Sequence, residues 1–280
     1  MIQRILLVGA SGPLGRAVSA VLSGDGHEVR GVSRTGGGRL AQLDVADTSQ
    51  VLAAVQSIRP HSVVYLARPE LTDTHSVDLA LEDFSRFIAV CAAEGVSRVI
   101  FASSAAIYGT STSSPHREDE PVEANGLYAQ LKLRSESLLT EVANVTAMSA
   151  LSFRIFNVFG PGFTFSLINR LVLGDDPTPV LHVGQDFVRD YIHSADVARA
   201  FAMALVDDVL APPLLNLATG IPVSNDDLLS QIPGARFIAS EAETFPSHSV
   251  ADVALLSATL GFQPTITVAM AAGSPATYFR

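Results

Sequence analysis

Two residues that could perform acid–base chemistry together, Tyr128 and Lys132, stand four positions apart in a stretch whose pattern predicts a helix. This spacing places both side chains on one helix face. The pKa of a free tyrosine is about 10, so it barely ionises at neutral pH, but a neighbouring ammonium stabilises the phenolate. Lys132 is the only lysine among 18 basic residues, and arginine, with its far higher pKa, is a poor proton relay. The pair therefore predicts a general acid or base.

A hydroxyl partner for this pair is predicted at Ser104. The apolar run 99–102 predicts a strand, and Ser103 and Ser104 follow it. The carboxyl ends of the strands in a parallel sheet face the ligand crevice. We expect Ser104 to hydrogen-bond a substrate oxygen and to share a proton with Tyr128, whereas Ser103 is expected to be satisfied within a turn.

A second chemical signal is a GxxGxxG turn near the N-terminus. The apolar run 5–8 precedes it and a helical pattern over 14–22 follows, which is the context of a pyrophosphate-binding turn. Glycine lets the chain reverse without a Cβ clash and lets backbone N–H groups approach a phosphate at the helix N-terminus. The residues expected to bind a dinucleotide here are Gly9, Ser11, Gly12, Pro13, Leu14 and Gly15.

The end of the second predicted strand indicates which dinucleotide is preferred. An NAD site usually carries Asp or Glu about 20 residues past the glycines, to bind the ribose 2′-hydroxyl. Here Ser33 and Arg34 occupy that place, and Glu28 lies too near the start of the strand to replace the acid. Because a guanidinium can pair with a phosphate, we expect NADP(H) to be preferred over NAD(H). Asp44 and Val45 are expected to frame the adenine.

The elements that position these residues alternate between strands and helices. Apolar runs at 5–8, 29–32, 63–66 and 99–102 alternate with helical patterns at 14–22, 51–58 and 79–93, and Thr48 is expected to cap the second helix. Helices over 127–142 and 194–205 and strands over 150–156 and 214–217 are predicted further along. Continuous apolar strands between amphipathic helices indicate βαβ units and a parallel sheet covered on both faces.

We therefore predict an α/β protein with a Rossmann doubly wound parallel sheet and a smaller C-terminal substrate-binding lobe. Residues 1–156, completed by about 187–218, are predicted to form the dinucleotide-binding domain. Residues 157–186 and 219–280, where prolines break the pattern, are predicted to form the lobe.

Composition excludes several other classes of protein. With 280 residues, 48% of them hydrophobic and 16% charged, the chain can bury a core and is not disordered. A net charge of −10 argues against a nucleic-acid partner. One cysteine, Cys91, precludes an internal disulfide, and the seven histidines lack metal-binding spacing, so no metal is expected. No signal peptide and no uncharged apolar run of membrane-spanning length is recognised, which predicts a cytoplasmic protein without a membrane partner.

Several motifs together resemble one family. The chain is similar to the extended short-chain dehydrogenases/reductases of the NAD(P)-dependent epimerase/dehydratase family, and the resemblance covers nearly its whole length. The motifs that carry it are GASGPLG (9–15), VVYLA (63–67), SSAAIYG (103–109), EDEP (118–121), YAQLK (128–132), RIFNVFGPG (154–162) and RDYIHSADVA (189–198).

The resemblance assigns roles to particular residues. It implies that Ser104, Tyr128 and Lys132 are catalytic and that Tyr128 and Lys132 also contact the cofactor. Further cofactor contacts are implied for Leu66, Ala67 and Phe156, while Arg68 is expected at the cofactor or substrate, or simply on the surface. Substrate contacts are implied for Ser104, Ala105, Asn157 and Arg189, the last two on the diphosphate of a nucleotide sugar. A homodimer through helices near 80–94 and 127–142 is also implied.

Two departures from the family pattern restrict the reaction. The family's dehydratases carry an acidic pair where this chain has Ala105 and Ala106, so 4,6-dehydration is not expected. Related members also have a second late arginine on the diphosphate, and the corresponding segment 243–246 contains none.

Three functions follow from these patterns. The first is an NADPH-dependent ketoreductase acting on a sugar-like substrate, a nucleotide-linked 4-keto-6-deoxyhexose, with Tyr128 as the general acid. The second is an NAD-dependent nucleotide-sugar 4-epimerase, which would use the same residues. The third, a non-catalytic dinucleotide-binding sensor, is disfavoured because such proteins typically lack the Tyr–Lys pair.

Overall fold

The structure, a computed structural model, describes residues 2–109, 115–174, 178–182, 186–205, 212–240 and 247–279. The strands within them are β1 (Arg4–Val8), β2 (Glu28–Ser33), β3 (Ala41–Gln42), β4 (Ser62–Tyr65), β5 (Arg98–Ser104), β6 (Ser149–Ile155), β7 (Asn157–Phe159), β8 (Val180–Leu181), β9 (Phe187–Arg189), β10 (Tyr191–His193), β11 (Leu214–Leu217), β12 (Val223–Ser224), β13 (Ile238–Ala239) and β14 (Ser247–Ser249).

The helices follow the strands in alternation through the first half of the chain. They are α1 (Pro13–Gly24), α2 (Thr48–Ile58), α3 (Thr74–Ala93), α4 (Leu127–Val145), α5 (Leu167–Leu173), α6 (Ser194–Ala204), α7 (Asn225–Gln231), α8 (Ala254–Leu260), α9 (Val268–Gly273) and α10 (Pro275–Tyr278), with a 3₁₀ turn at Ala105–Tyr108. Helix α2 is capped by Asp47 and not by Thr48 as predicted, because the Asp47 carboxylate accepts the backbone N–H groups of Ser49 and Gln50.

The central sheet has seven strands in the order β11-β6-β5-β4-β1-β2-β3, and every neighbouring pair is parallel. Its inner strands are buried on both faces: Ile5, Leu6 and Leu7 of β1 have no exposed surface. This explains the continuous apolar runs in the sequence. The predicted Rossmann fold is confirmed, including the late return of β11 (Leu214–Leu217) to the sheet.

Two apolar cores cover the faces of this sheet. One contains residues of α1, α6 and α8, with Phe153 of β6 against Phe201 of α6 at 5.0 Å between ring centroids. The other contains residues of α2, α3 and α4, including Phe87 and Leu139. Strands β2 and β4 lie on opposite sides of β1, so the order of the strands reverses there. In sheets of this kind, ligands bind at the point of reversal, beyond the carboxyl ends of the strands.

Short strands outside the central sheet form a second region with its own core. They pair as β10-β7, β12-β9-β14 and β13-β8, and the core beneath them includes Phe159, Ile168 and Leu228. Asp190 fastens this region, since its fully buried carboxylate accepts the N–H groups of Thr219 and Gly220 at 2.9 and 2.8 Å. The domain boundaries given above stay a prediction.

Helix α3 is the longest helix, and neither it nor any other helix in the described part of the chain has the length and apolar character needed to cross a bilayer.

Candidate active site

The glycine turn packs closely between two strands. Gly9 has φ +84°, and a Cβ there would lie 2.8 Å from the backbone nitrogen of Ala67, at the end of β4. A Cβ on Gly15 would lie 2.4 Å from the carbonyl oxygen of Gly9. Both glycines are therefore needed for the backbone itself to pass.

The turn leaves the start of α1 open. The first N–H groups of a helix have no acceptor within it, and Gly12, the N-cap, supplies no side chain to satisfy them. Pro13, the first helical residue, contributes no N–H, so Leu14 and Gly15 supply the available donors. A helix start of this kind favours an anion such as a pyrophosphate.

A cleft of about 530 Å³ opens beside this turn, at the carboxyl ends of β1, β2, β4 and β5. Most of the residues predicted to bind a dinucleotide line it, namely Gly9, Ser11, Gly12, Ser33, Arg34, Asp44, Val45, Leu66, Ala67, Arg68 and Lys132. Pro13, Leu14, Gly15, Tyr128 and Phe156 do not line this cleft. The position, the open helix start and the glycine contacts fit an elongated dinucleotide.

The end of β2 carries a positive charge and no acid. Arg34 is exposed at the cleft and makes no hydrogen bond or ion pair within the described residues. The Ser33 hydroxyl accepts the Gly36 N–H at 3.1 Å, which fixes the loop that follows. The carboxylates that line the cleft belong to Asp44, Glu70 and Asp83, and none of these is on β2.

The predicted catalytic residues come together around Lys132, the one of the three that lines this cleft. The side chains of Tyr128 and Ser104 are hydrogen-bonded to each other, and the Ser104 hydroxyl also accepts the Ala106 N–H at 3.2 Å. Burial raises the pKa of Tyr128, while the Ser104 hydrogen bond and the positive charge of Arg68 act to lower it.

Lys132 lies beneath Tyr128, as the spacing predicts. Its Nζ is 5.6 Å from the centroid of the Tyr128 ring and donates to the carbonyl of Ala102 at 2.7 Å. The side chain is only 4% exposed, and burial lowers the pKa of Lys132 to about 7. The charge of Arg68 lowers it in the same direction, and the carboxylate of Glu136 opposes the shift.

Arg68 and Tyr128 also line a second, outer cleft of about 630 Å³. The guanidinium carbon of Arg68 lies 5.0 Å from the Tyr128 ring centroid. Phe165, which is 96% exposed, borders the same cleft. Sequence reasoning did not identify Phe165, because a lone aromatic residue in a loop carries no pattern.

A buried polar network, which the sequence analysis did not predict, supports α4, the helix that carries Tyr128 and Lys132. Glu136, one turn beyond Lys132 on α4, forms an ion pair with Arg154 of β6 at 2.9 Å and accepts a hydrogen bond from Ser103. Ser103 is thus satisfied by a side chain and not by a turn. Arg154 in turn donates to the Tyr108 hydroxyl at 3.0 Å, which donates to the side chain of Asn216. The helical spacing of Lys132 and Glu136 was the available signal.

The residues predicted to hold a substrate diphosphate form hydrogen bonds within the protein. The Asn157 amide donates to the carbonyl of Asp190 at 2.9 Å. Arg189 stacks 3.7 Å from the centroid of the Phe187 ring and donates to the carbonyl and hydroxyl oxygens of Ser247. Neither residue borders the two clefts above, so their role stays a prediction. The segment 243–246 lies outside the described residues.

Two further predicted residues are in the interior. Ala105, at the start of the 3₁₀ turn, is 7% exposed, and Phe156 is 3% exposed with its ring 6.2 Å from that of Tyr108. No group of three or more His, Cys, Asp or Glu side chains in the described part of the chain could hold a metal ion.

Comparison with known proteins identifies the family. Residues 5–218 match the NAD dependent epimerase/dehydratase family. The UDP-glucose 4-epimerase of Mycolicibacterium smegmatis is 26% identical, with 99% of each chain covered. The structure of MoeE5 in complex with UDP-glucuronic acid and NAD is 25% identical, covers 96% of each chain and has a TM-score of 0.81. UDP-glucose 4-epimerase from Brucella ovis in complex with NAD, at 23% identity and 97% coverage of each chain, has the same fold with a TM-score of 0.83.

The family match covers well over half of the chain and includes the glycine turn and the Ser–Tyr–Lys group. The protein therefore belongs to the NAD dependent epimerase/dehydratase family and is an NAD(P)-dependent enzyme of the extended short-chain dehydrogenase/reductase type.

Proposed function

We propose that this enzyme is an NADPH-dependent ketoreductase that reduces a nucleotide-linked 4-keto-6-deoxyhexose. The observation that supports the cofactor preference is Arg34, a guanidinium without an ion-pair partner among the described residues, at the place in the cleft where NAD enzymes carry an acid. A carboxylate at that position would repel a 2′-phosphate, whereas a guanidinium can pair with it.

Ser104, Tyr128 and Lys132 supply the acid–base part of the reaction. The dinucleotide, when bound, supplies the hydride that adds to the carbonyl carbon. Tyr128 gives the proton of its hydroxyl to the carbonyl oxygen, so that the C=O becomes an alcohol. Ser104, hydrogen-bonded to Tyr128, holds the same oxygen, and the Lys132 ammonium stabilises the phenolate left behind.

The substrate class is supported by the relatives. The Mycolicibacterium relative is a UDP-glucose 4-epimerase, and MoeE5 was solved with UDP-glucuronic acid. Asn157 and Arg189 are our candidates for the diphosphate. Ala105 and Ala106 replace the acids that a dehydratase needs, and this favours plain reduction.

The test compares the two dinucleotides as reductants. With a nucleotide-linked 4-keto-6-deoxyhexose, purified enzyme is expected to oxidise NADPH with a higher kcat/KM than NADH. Arg34→Asp should lower the NADPH/NADH ratio of kcat/KM about 10- to 100-fold, because a hydrogen bond to a charged group contributes about 1.5–3 kcal/mol. Arg30→Asp, on β2 four residues before Arg34 but outside the cleft, is the matched control.

A second candidate, an NAD-dependent 4-epimerase, is favoured by the names of the relatives and is tested with the same preparation. Denatured enzyme would then release NAD and not NADP, and UDP-glucose would convert to its 4-epimer without net consumption of cofactor. That pair of results, with NADPH left unoxidised, would replace the reductase proposal.

We also propose a cytoplasmic homodimer in which α3 and α4 of two copies meet. The two helices pack side by side, and the exposed Leu79 lies on the outer side of α3. Light scattering of the purified protein tests the dimer, and a monomeric mass would exclude it.

A further inference from the structure

Arg68 is a charged residue in the active site to which the proposed mechanism gives no role. It follows β4, where the chain turns across the cleft end, and it borders both the dinucleotide cleft and the outer cleft. No carboxylate within the described residues forms an ion pair with it. Its guanidinium lies over the face of the Tyr128 ring, 5.0 Å from the centroid.

The guanidinium is nearer to the phenol than the catalytic lysine is. The Lys132 Nζ lies 5.6 Å from the same ring centroid and is held by the carbonyl of Ala102. Burial lowers the pKa of Lys132 to about 7, so its amine holds its proton less firmly near neutral pH than an exposed lysine does, whereas a guanidinium stays charged. The more constant positive charge beside Tyr128 is therefore that of Arg68.

From this geometry we propose that Arg68 is a positioning residue whose fixed charge, acting on the Tyr128 ring, stabilises the phenolate formed during proton transfer. The inference rests on the proposed function for its catalytic meaning, but the charge effect itself can be measured without turnover. It also predicts that Lys132 and Arg68 share a task that the family resemblance gives to the lysine alone.

Three other polar groups lie near Tyr128, Lys132 or Arg68. Lys132 shares the helix of Tyr128, and Glu136 acts on Lys132 from one turn further along. Glu70 borders the outer cleft without an ion pair to Arg68. Ser104, from the end of β5, faces Tyr128 as a neutral hydrogen-bond partner.

The directions in which the pKa values of Tyr128 and Lys132 change distinguish two roles of Arg68: supplying a positive charge, and shielding the site from water. Removing a nearby positive charge makes the phenolate less stable and the ammonium more stable, so the pKa values of both Tyr128 and Lys132 rise. Opening the site to water relieves desolvation, which lowers the pKa of Tyr128 and raises that of Lys132. Both pKa values therefore rise only if Arg68 acts through its charge.

The chain is well suited to this measurement. Lys132 is the only lysine, so protein made with ¹³Cε-labelled lysine gives one lysine signal. Five tyrosines give ¹³Cζ signals, and Tyr128→Phe assigns the one of interest. Burial raises the pKa of Tyr108 and of Tyr191 to about 12, so both titrate only in strongly alkaline solution.

The experiment titrates the purified protein, Arg68→Met, Arg68→Lys and the matched control Arg134→Met by NMR. Arg134 is an exposed arginine of α4 whose partner is Asp78. We expect Arg68→Met to raise both midpoints by about one pH unit, which is tenfold in the ratio of the two protonation states. Arg68→Lys adds a second lysine signal, so this variant is followed through Tyr128, whose midpoint should stay close to that of the native protein. Arg134→Met should leave both midpoints in place.

Two results would overturn the proposal. A lower Tyr128 midpoint with a higher Lys132 midpoint would make Arg68 a cover of the cleft, and unchanged midpoints would show that its charge does not reach the phenol. Should Arg68→Met fail to fold, Arg68→Gln answers the same question.

Kinetics in the direction of alcohol oxidation give a second readout. Arg68→Met should lower kcat about tenfold at neutral pH, and kcat should recover when the pH is one unit higher. A rise in KM alone, with no change in the pH profile, would assign Arg68 to substrate binding instead.

Discussion

At the scale of single residues, Lys132 combines two opposing requirements. Its amine must sit beneath Tyr128, and the chain achieves this by burying it to 4% exposure and giving its Nζ the carbonyl of Ala102. Burial of an ammonium is unfavourable, which is why the pKa of Lys132 falls to about 7. The proposed catalytic position of Lys132 therefore costs stability.

This cost gives a prediction with a defined sign. Because the pKa of Lys132 is about 7 in the folded protein and 10.5 for an unperturbed lysine, the unfolded chain binds more protons between those pH values. The Lys132 penalty is therefore full below about pH 7 and disappears as the pH rises toward 10.5. Lys132→Met should raise the free energy of unfolding by about 1–3 kcal/mol at pH 7, and by less at pH 10, while reduction of substrate is lost.

Urea unfolding of the native protein and Lys132→Met at the two pH values measures this difference. Arg134→Met, at an exposed site on the same helix, should show no such pH-dependent gain. A Lys132→Met protein that is less stable than the native one at both pH values would show that the Ala102 hydrogen bond outweighs the burial of charge.

At the scale of elements, the turn between β1 and α1 depends on one glycine conformation. We expect Gly9→Ala to cost about 1–3 kcal/mol, because φ +84° disfavours a side chain and the added Cβ would lie 2.8 Å from the Ala67 nitrogen. Gly24→Ala, at the end of α1 with no atom within 4 Å of the added Cβ, should be neutral or stabilising by up to about 1 kcal/mol. Urea unfolding and the Kd for the dinucleotide check both, and equal effects of the two variants would contradict the steric argument.

The sequence predicted these elements well where the pattern was local. The runs 5–8, 29–32, 63–66 and 99–102 all lie in the central sheet within one or two residues of the observed bounds, because buried parallel strands are continuously apolar. The short strands β8 and β13 were not predicted. Their pairing, Val180 with Ile238, joins two-residue segments far apart in the chain and leaves no periodic signal.

The same distinction between local patterns and tertiary contacts decides which site residues could be predicted. Tyr128, Lys132 and Ser104 were predicted because they stand at a fixed helical spacing and at a strand end. Arg154 as the partner of Glu136 was not, since that contact depends on how α4 lies against β6 in three dimensions. Contacts between buried polar side chains cannot be predicted from the sequence until the packing of the helices against the strands is known.

At the scale of the whole molecule, the ion pair between Glu136 and Arg154 connects α4 to the late part of the chain. From Glu136 the network passes through Arg154 and Tyr108 to Asn216 of β11. The Asn216 amide donates to the carbonyl of His116, whose loop is bridged to Ala251. A substitution at one end of this network should therefore affect the stability of both the early and the late parts of the chain.

A double-mutant cycle on the pair tests that connection. Glu136→Gln leaves the guanidinium of Arg154 buried without its counter-charge and should lower the free energy of unfolding by about 3 kcal/mol. Adding Arg154→Met removes the unpaired charge, so the double variant should be more stable than the sum of the single effects by at least about 1 kcal/mol. Glu136→Gln should also lower the pKa of Lys132 further, because the Glu136 carboxylate opposes the downward shift, and the single lysine NMR signal reports this directly. Strictly additive free energies, together with an unmoved Lys132 titration, would mean that α4 and β6 are held by apolar packing alone and that the network does not reach the catalytic amine.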